Sequence, residues 1–122
     1  MNLTTAAGRF ALVGVGATLM HIMVAAGLIA WGGIHPGVAN GVAFIVANLA
    51  SYAANTRWSF RARMRLGNWG RFVVVSLGAW VLTVAIASAV AEAGGHYLLG
   101  IALVVSVVPL LSFVAHHNFT YR

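Results

Sequence analysis

Ionisable side chains are scarce in this sequence, so each one is informative. His21 lies near the middle of an apolar run, roughly 16 Å from either end if that run is helical. An ionisable group so placed faces the interior of a bundle and marks a functional position by default. Gly14, Ala17, Thr18, His21 and Ala25 share one helical face at i, i+3/i+4 spacing, so the imidazole stands on a small, close-packing stripe. Two readings are open. A neutral imidazole bonds a hydroxyl or carbonyl of a neighbouring helix, or the ring serves function directly, by contacting a ligand or carrying a proton.

Asn48, Ser51, Tyr52 and Asn55 follow i, i+3, i+4, i+7 and form one polar face about two turns long. Each amide offers both donors and acceptors, which suits vicinal hydroxyls. The same groups also serve hydrogen bonding between helices. Arg57, Arg61, Arg71 and Arg122 sit at the ends of apolar runs, where guanidinium forks match phosphate. Topology and anionic lipids call for cations there as well. Arg57 stands out from Arg63 and Arg65 because it lies in a helical tail beside Trp58 and Asn55. Trp31, Trp58, Trp69 and Tyr97 read as interfacial anchors, and Trp58 also offers a stacking face. Pro109 is expected to kink its helix or open the hydrogen-bond ladder.

Metal and catalytic readings find little support. His116 and His117 are adjacent and project to different sides of a helix, with no thiolate or acid pair nearby. Glu92 is the only acid. With no carboxylate pair, Ser-His-Asp set or glycine-rich phosphate loop, general acid/base or nucleophilic chemistry has few candidates. We expect no enzyme, no metal and no cofactor.

The elements that must position these residues follow from composition. Of 122 residues, 61% are hydrophobic and 7% charged, with no cysteine. Soluble domains average about 25% charged residues, so a water-facing surface cannot be assembled from this chain and a bilayer is the expected solvent. A membrane helix needs about 20 apolar residues. Four runs qualify, at about 10–31, 38–58, 72–91 and 97–119, and predict one all-α polytopic membrane domain over 1–122. The first run is longer than a secretory signal core and is read as a retained helix. All seven arginines, against no lysine, fall before the first span, between the second and third, or at the chain end. Arg9 precedes the first span, five arginines cluster from Arg57 to Arg71, and Arg122 is last. The positive-inside rule then places both termini and the central connection in the cytoplasm. Nucleic-acid binding needs a cationic face on a soluble body and is not expected.

The halves match. Ser51-Tyr52-Ala53-Ala54-Asn55-Thr56-Arg57-Trp58-Ser59-Phe60-Arg61 aligns with Ser112-Phe113-Val114-Ala115-His116-His117-Asn118-Phe119-Thr120-Tyr121-Arg122, and Arg9-Phe10 with Arg71-Phe72. Residues 9–61 and 71–122 are read as two copies of a helical hairpin in parallel orientation.

These features resemble the GtrA-like family of small four-span membrane proteins. The opening Arg9-Phe10-Ala11-Leu12-Val13-Gly14, the ending Asn55-Thr56-Arg57-Trp58-Ser59-Phe60 and the closing segment from Pro109 to Tyr121 carry the likeness, which covers nearly the whole chain. The second tail departs from the first, with His116 and Asn118 where the first has Asn55 and Arg57. The resemblance implies translocation of a polyprenyl-phosphate-linked sugar across the bacterial inner membrane for cell-surface polysaccharide synthesis, beside a partner glycosyltransferase. On that reading His21, Asn48, Ser51, Tyr52, Asn55, Arg57, Trp58, Ser112 and His116 contact phosphate or sugar. Arg9, Arg61, Arg71 and Arg122 are interfacial cations. Four short helices hardly enclose such a path, so a homo-oligomer, most simply a dimer, is expected. Two alternatives remain open: an adaptor that positions the glycosyltransferase without transporting, and a small multidrug-type exporter. The latter type carries a glutamate in its first span where this chain has His21.

Overall fold

The computed structural model describes residues 3–59, 66–115 and 118. Among them are four α-helices: α1 (Leu3–Ala30), α2 (Pro36–Ala54), α3 (Leu66–Glu92) and α4 (Tyr97–Ala115). A π-helical turn, Asn55–Ser59, continues α2. No strand occurs among the described residues, so the all-α expectation holds. Gly8–Ala30, Pro36–Ala54 and Gly70–Glu92 are each long and apolar enough to cross a membrane, and Tyr97–Ser112 is a shorter apolar helix. Helical geometry in α1 and α3 begins several residues before the apolar runs read from the sequence. Backbone hydrogen bonding does not stop where hydrophobicity does. Pro109 lies inside α4 and is exposed, and the helix continues past it to Ala115.

Both hairpin turns use a glycine with positive φ, Gly33 at 63° and Gly94 at 81°, where a Cβ would be strained. After α3 the Gly94 N–H donates to the Ala91 carbonyl (3.1 Å) and the Gly95 N–H to the Val90 carbonyl (2.9 Å), the Schellman arrangement. After α1, the Gly32 and Ile34 N–H groups both reach the Leu28 carbonyl. A histidine then opens each return helix. His35 Nδ1 accepts the Gly37 N–H at 3.0 Å, with Pro36 at the first helical position. His96 Nδ1 accepts the Leu98 N–H at 3.1 Å, its ring stacked on Tyr97. Each imidazole takes up an amide that the first turn leaves unpaired.

Packing is small-inside. Ala25, Ala39, Ala43, Ala47, Ala79 and Ala87 are buried, whereas Leu12, Met23, Leu49 and Leu110 face outward. Lipid solvates large aliphatic groups as well as protein does, so close backbone approach becomes the main source of helix–helix attraction. Gly37 and Gly41 let α2 approach α3. A Cβ on Gly37 would collide with Ser88 Oγ, and one on Gly41 would lie 3.0 Å from Val84 Cγ2 and 3.2 Å from Trp80 Nε1. One cluster gathers Ala79, Ala87, Val104 and Val108, and a second gathers Ala25, Ala43 and Ile101. Helices neighbouring in sequence pack together, α1 meets α4 less extensively, and α2 touches α4 across the bundle. Buried residues fall at corresponding places of the two hairpins: Ala25 and Ala87, Ala43 and Val104, Ala47 and Val108.

Candidate functional site

The buried polar chemistry starts on α2. Asn40 is fully buried and His21 nearly so. Asn40 Nδ2 donates to the Pro36 carbonyl at 2.9 Å, which turns its amide oxygen toward α1. His21 Nε2 lies 3.0 Å from that oxygen, so Nε2 carries the proton and donates. The partner of His21 is thus an amide carbonyl of the neighbouring helix. At the corresponding places of the second hairpin stand Thr83, whose hydroxyl donates back to the Ala79 carbonyl at 2.8 Å, and the buried aliphatic Ile101. Of the two pairs, His21–Asn40 couples its helices by a polar bond, whereas Thr83 bonds back within its own helix. Thr18, one turn before His21, likewise bonds back within α1, to the Gly14 carbonyl.

Asn40 had no special standing in the polar face read from the sequence. It nevertheless shares a side of α2 with Asn48, Ser51 and Asn55, because their spacing keeps all four within about a quarter turn of the helix. Extending that stripe backwards would have found it. Asn40 lies about 12 Å from Asn48 along the axis and about 22 Å from Asn55. His21 and the Asn48–Asn55 group are therefore two separate polar stations, one in the half of the bundle near the hairpin turns and one toward the arginine-bearing end.

The second station joins three elements. Asn48 Nδ2 donates to Ser76 Oγ on α3 at 3.4 Å, and Asn55 Nδ2 to Ser51 Oγ at 3.2 Å. The Tyr52 ring meets Phe72 of α3 with centroids 5.2 Å apart. Asn48, Ser51 and Tyr52 of α2 and Asn55 of the π-helical turn are all half-buried. Beyond them the π-helical turn carries Arg57 and Trp58, both exposed. Arg9 of α1 reaches across: its Nη1 donates to the Trp58 carbonyl at 3.0 Å, and its guanidinium lies 5.0 Å from the centre of the Trp58 ring. Arg71 is exposed near the start of α3. Ser112 stands apart from the α2 face. It lines an open apolar groove of about 250 Å³ between α3 and α4, together with Val75, Gly78, Leu82 and Val108.

Arg61, Arg63, Arg65, His116, His117 and Arg122 lie outside the described residues, as does the side chain of Trp69. Trp31 is 93% exposed at the hairpin-turn end, and Glu92 is exposed there too. Tyr97 is half-buried against the Ala25–Ala43–Ile101 cluster, so its ring packs into the bundle. Among the described residues no group of three histidines or acids is placed to hold a metal, and no buried side-chain nitrogen or oxygen lacks a partner.

Chemically, the second station offers amides and hydroxyls for a polyol, an aromatic face and a guanidinium at its mouth. No curated protein and no solved structure matches the chain. A family model, described as the GtrA/DPMS transmembrane domain, matches residues 9–121. That span runs from the arginine that clamps Trp58 through all the helices that build the two stations, and the chain belongs to this family, the GtrA-like multi-pass membrane proteins.

Proposed function

We propose that the protein translocates a polyprenyl-phosphate-linked monosaccharide across the bacterial cytoplasmic membrane, for cell-surface polysaccharide synthesis, with both termini and the central connection cytoplasmic. Membership of the GtrA/DPMS family supports the handling of such lipids. The observation that carries the reading is the succession of amides and hydroxyls on one side of α2, with Arg57 at its end. Arg57 would meet the phosphate, with Asn48, Ser51, Tyr52 and Asn55 on the sugar and Trp58 stacking on it. Ser112 and His116 would serve from the second hairpin. His21 and Asn40 would exchange their mutual bond for sugar hydroxyls as the headgroup passes. Such a path spares a charged phosphate the bare hydrocarbon, the expensive step of unassisted flipping. We read the hairpins as a duplication, the assembly as a homodimer completing the path, and the protein as a non-enzyme working beside a glycosyltransferase.

One observation favours the adaptor reading instead. Every buried polar side-chain atom among the described residues is already partnered within the chain. A single experiment separates the two. The purified protein is placed in liposomes with a labelled polyprenyl-phosphate sugar, and the leaflet distribution is followed. Redistribution that Arg57→Gln abolishes supports translocation. An unchanged distribution, with the glycosyltransferase still co-purifying, overturns it in favour of the adaptor.

A further inference from the structure

Arg9 does more than carry interfacial charge. It is half-buried, whereas Arg57 and Arg71 are exposed, and it makes two contacts to one residue far along the chain, the Trp58 carbonyl and the Trp58 ring. A guanidinium donating to a main-chain carbonyl forms a charge-assisted bond, and at this range over an indole it gains cation–π attraction. The turn it holds is π-helical, a rare geometry that is frequent at functional sites. Relaxation by one residue of register would swing Arg57 about 100° around the axis.

We propose that Arg9 is a positioning residue: it holds the π-helical turn that follows α2 from the neighbouring helix and thereby sets the direction in which Arg57 is presented. The consequence for phosphate binding rests on the function proposed above, but the positioning itself does not. A cation for topology explains an arginine or a lysine equally, whereas the rigid planar fork of the guanidinium holds one N–H on the carbonyl while its plane lies over the ring, a geometry that a flexible ammonium stem does not fix. Lysine is therefore the informative replacement.

The chain has no cysteine, so Arg57→Cys introduces a single thiol. In liposomes holding the full chain, the rate of labelling by a membrane-impermeant maleimide reports the setting of that position. Adding Arg9→Ala or Arg9→Lys should change the rate by about fivefold, the population change that loss of one such contact carries. Trp58→Ala keeps the acceptor carbonyl and should fall between the parent and Arg9→Ala. If Arg9→Lys labels like the parent, charge alone suffices and the proposal is overturned. Unchanged labelling in Arg9→Ala overturns it equally. Helix content by circular dichroism accompanies each variant, and if Arg9→Ala loses helix, Arg9→Lys decides. No sugar lipid enters the assay, so a failure of translocation leaves this result standing.

Discussion

Replacing His21 with leucine removes the one donor that the Asn40 amide oxygen has from α1. Two terms compete. The hydrogen bond itself contributes only about 0.6 kcal/mol on average between membrane helices, and at most about 1.7 kcal/mol. Stranding its buried partner costs more, about 1–3 kcal/mol. Asn40 is fully buried with its Nδ2 committed to Pro36, so the amide cannot turn to find another donor without giving up that bond. His21→Leu and Asn40→Leu should therefore each destabilise the bundle by about 1–3 kcal/mol. The double variant leaves nothing stranded and should lie within about 1 kcal/mol of the parent. The cycle then gives a coupling of about 2 kcal/mol or more, most of it desolvation rather than bond strength. Reversible unfolding in mixed micelles, followed by circular dichroism, measures all four proteins. Strict additivity of the two single changes would refute the reasoning, because the pair would then not be bonded in the folded protein.

Further outcomes follow from the same geometry. Gly41→Ala places a methyl against Val84 and Trp80 and should lower stability by about 1–3 kcal/mol. Gly78→Ala meets nothing within 4 Å and should stabilise by up to about 1 kcal/mol through helix propensity; thermal unfolding in detergent compares them. Alanine at Gly33 or Gly94, with φ of 63° and 81°, should each cost about 1–2 kcal/mol, read in the same melts. His35→Ala removes the cap of α2 and should cost about 1 kcal/mol, with faster amide exchange confined to the first turn of that helix. Arg57→Lys keeps the charge but loses the fork. It should slow redistribution of the labelled sugar lipid by about tenfold while leaving the melting temperature unchanged.

Much of this architecture is legible in the amino-acid order, because hydrophobicity is a local and additive property. Runs of apolar residues, punctuated by Gly32-Gly33 and Gly94-Gly95 and flanked by arginines, read as four helices, and the structure has all four, three of them long and apolar enough to cross a membrane and Tyr97–Ser112 shorter. The motif at Asn55–Phe60 likewise identified the family that the domain match at residues 9–121 shows. Helical periodicity placed Asn48, Ser51, Tyr52 and Asn55 on one face of α2. Partners are another matter, since they depend on the rotation and depth of one helix against the next. Neither is encoded within a single segment when small residues allow several approaches. Tertiary packing alone decided that His21 bonds Asn40 rather than joining the Asn48–Asn55 group, and that Ser112 lines a different groove. It also decided that Arg9, a topological charge by sequence, spends its guanidinium on Trp58.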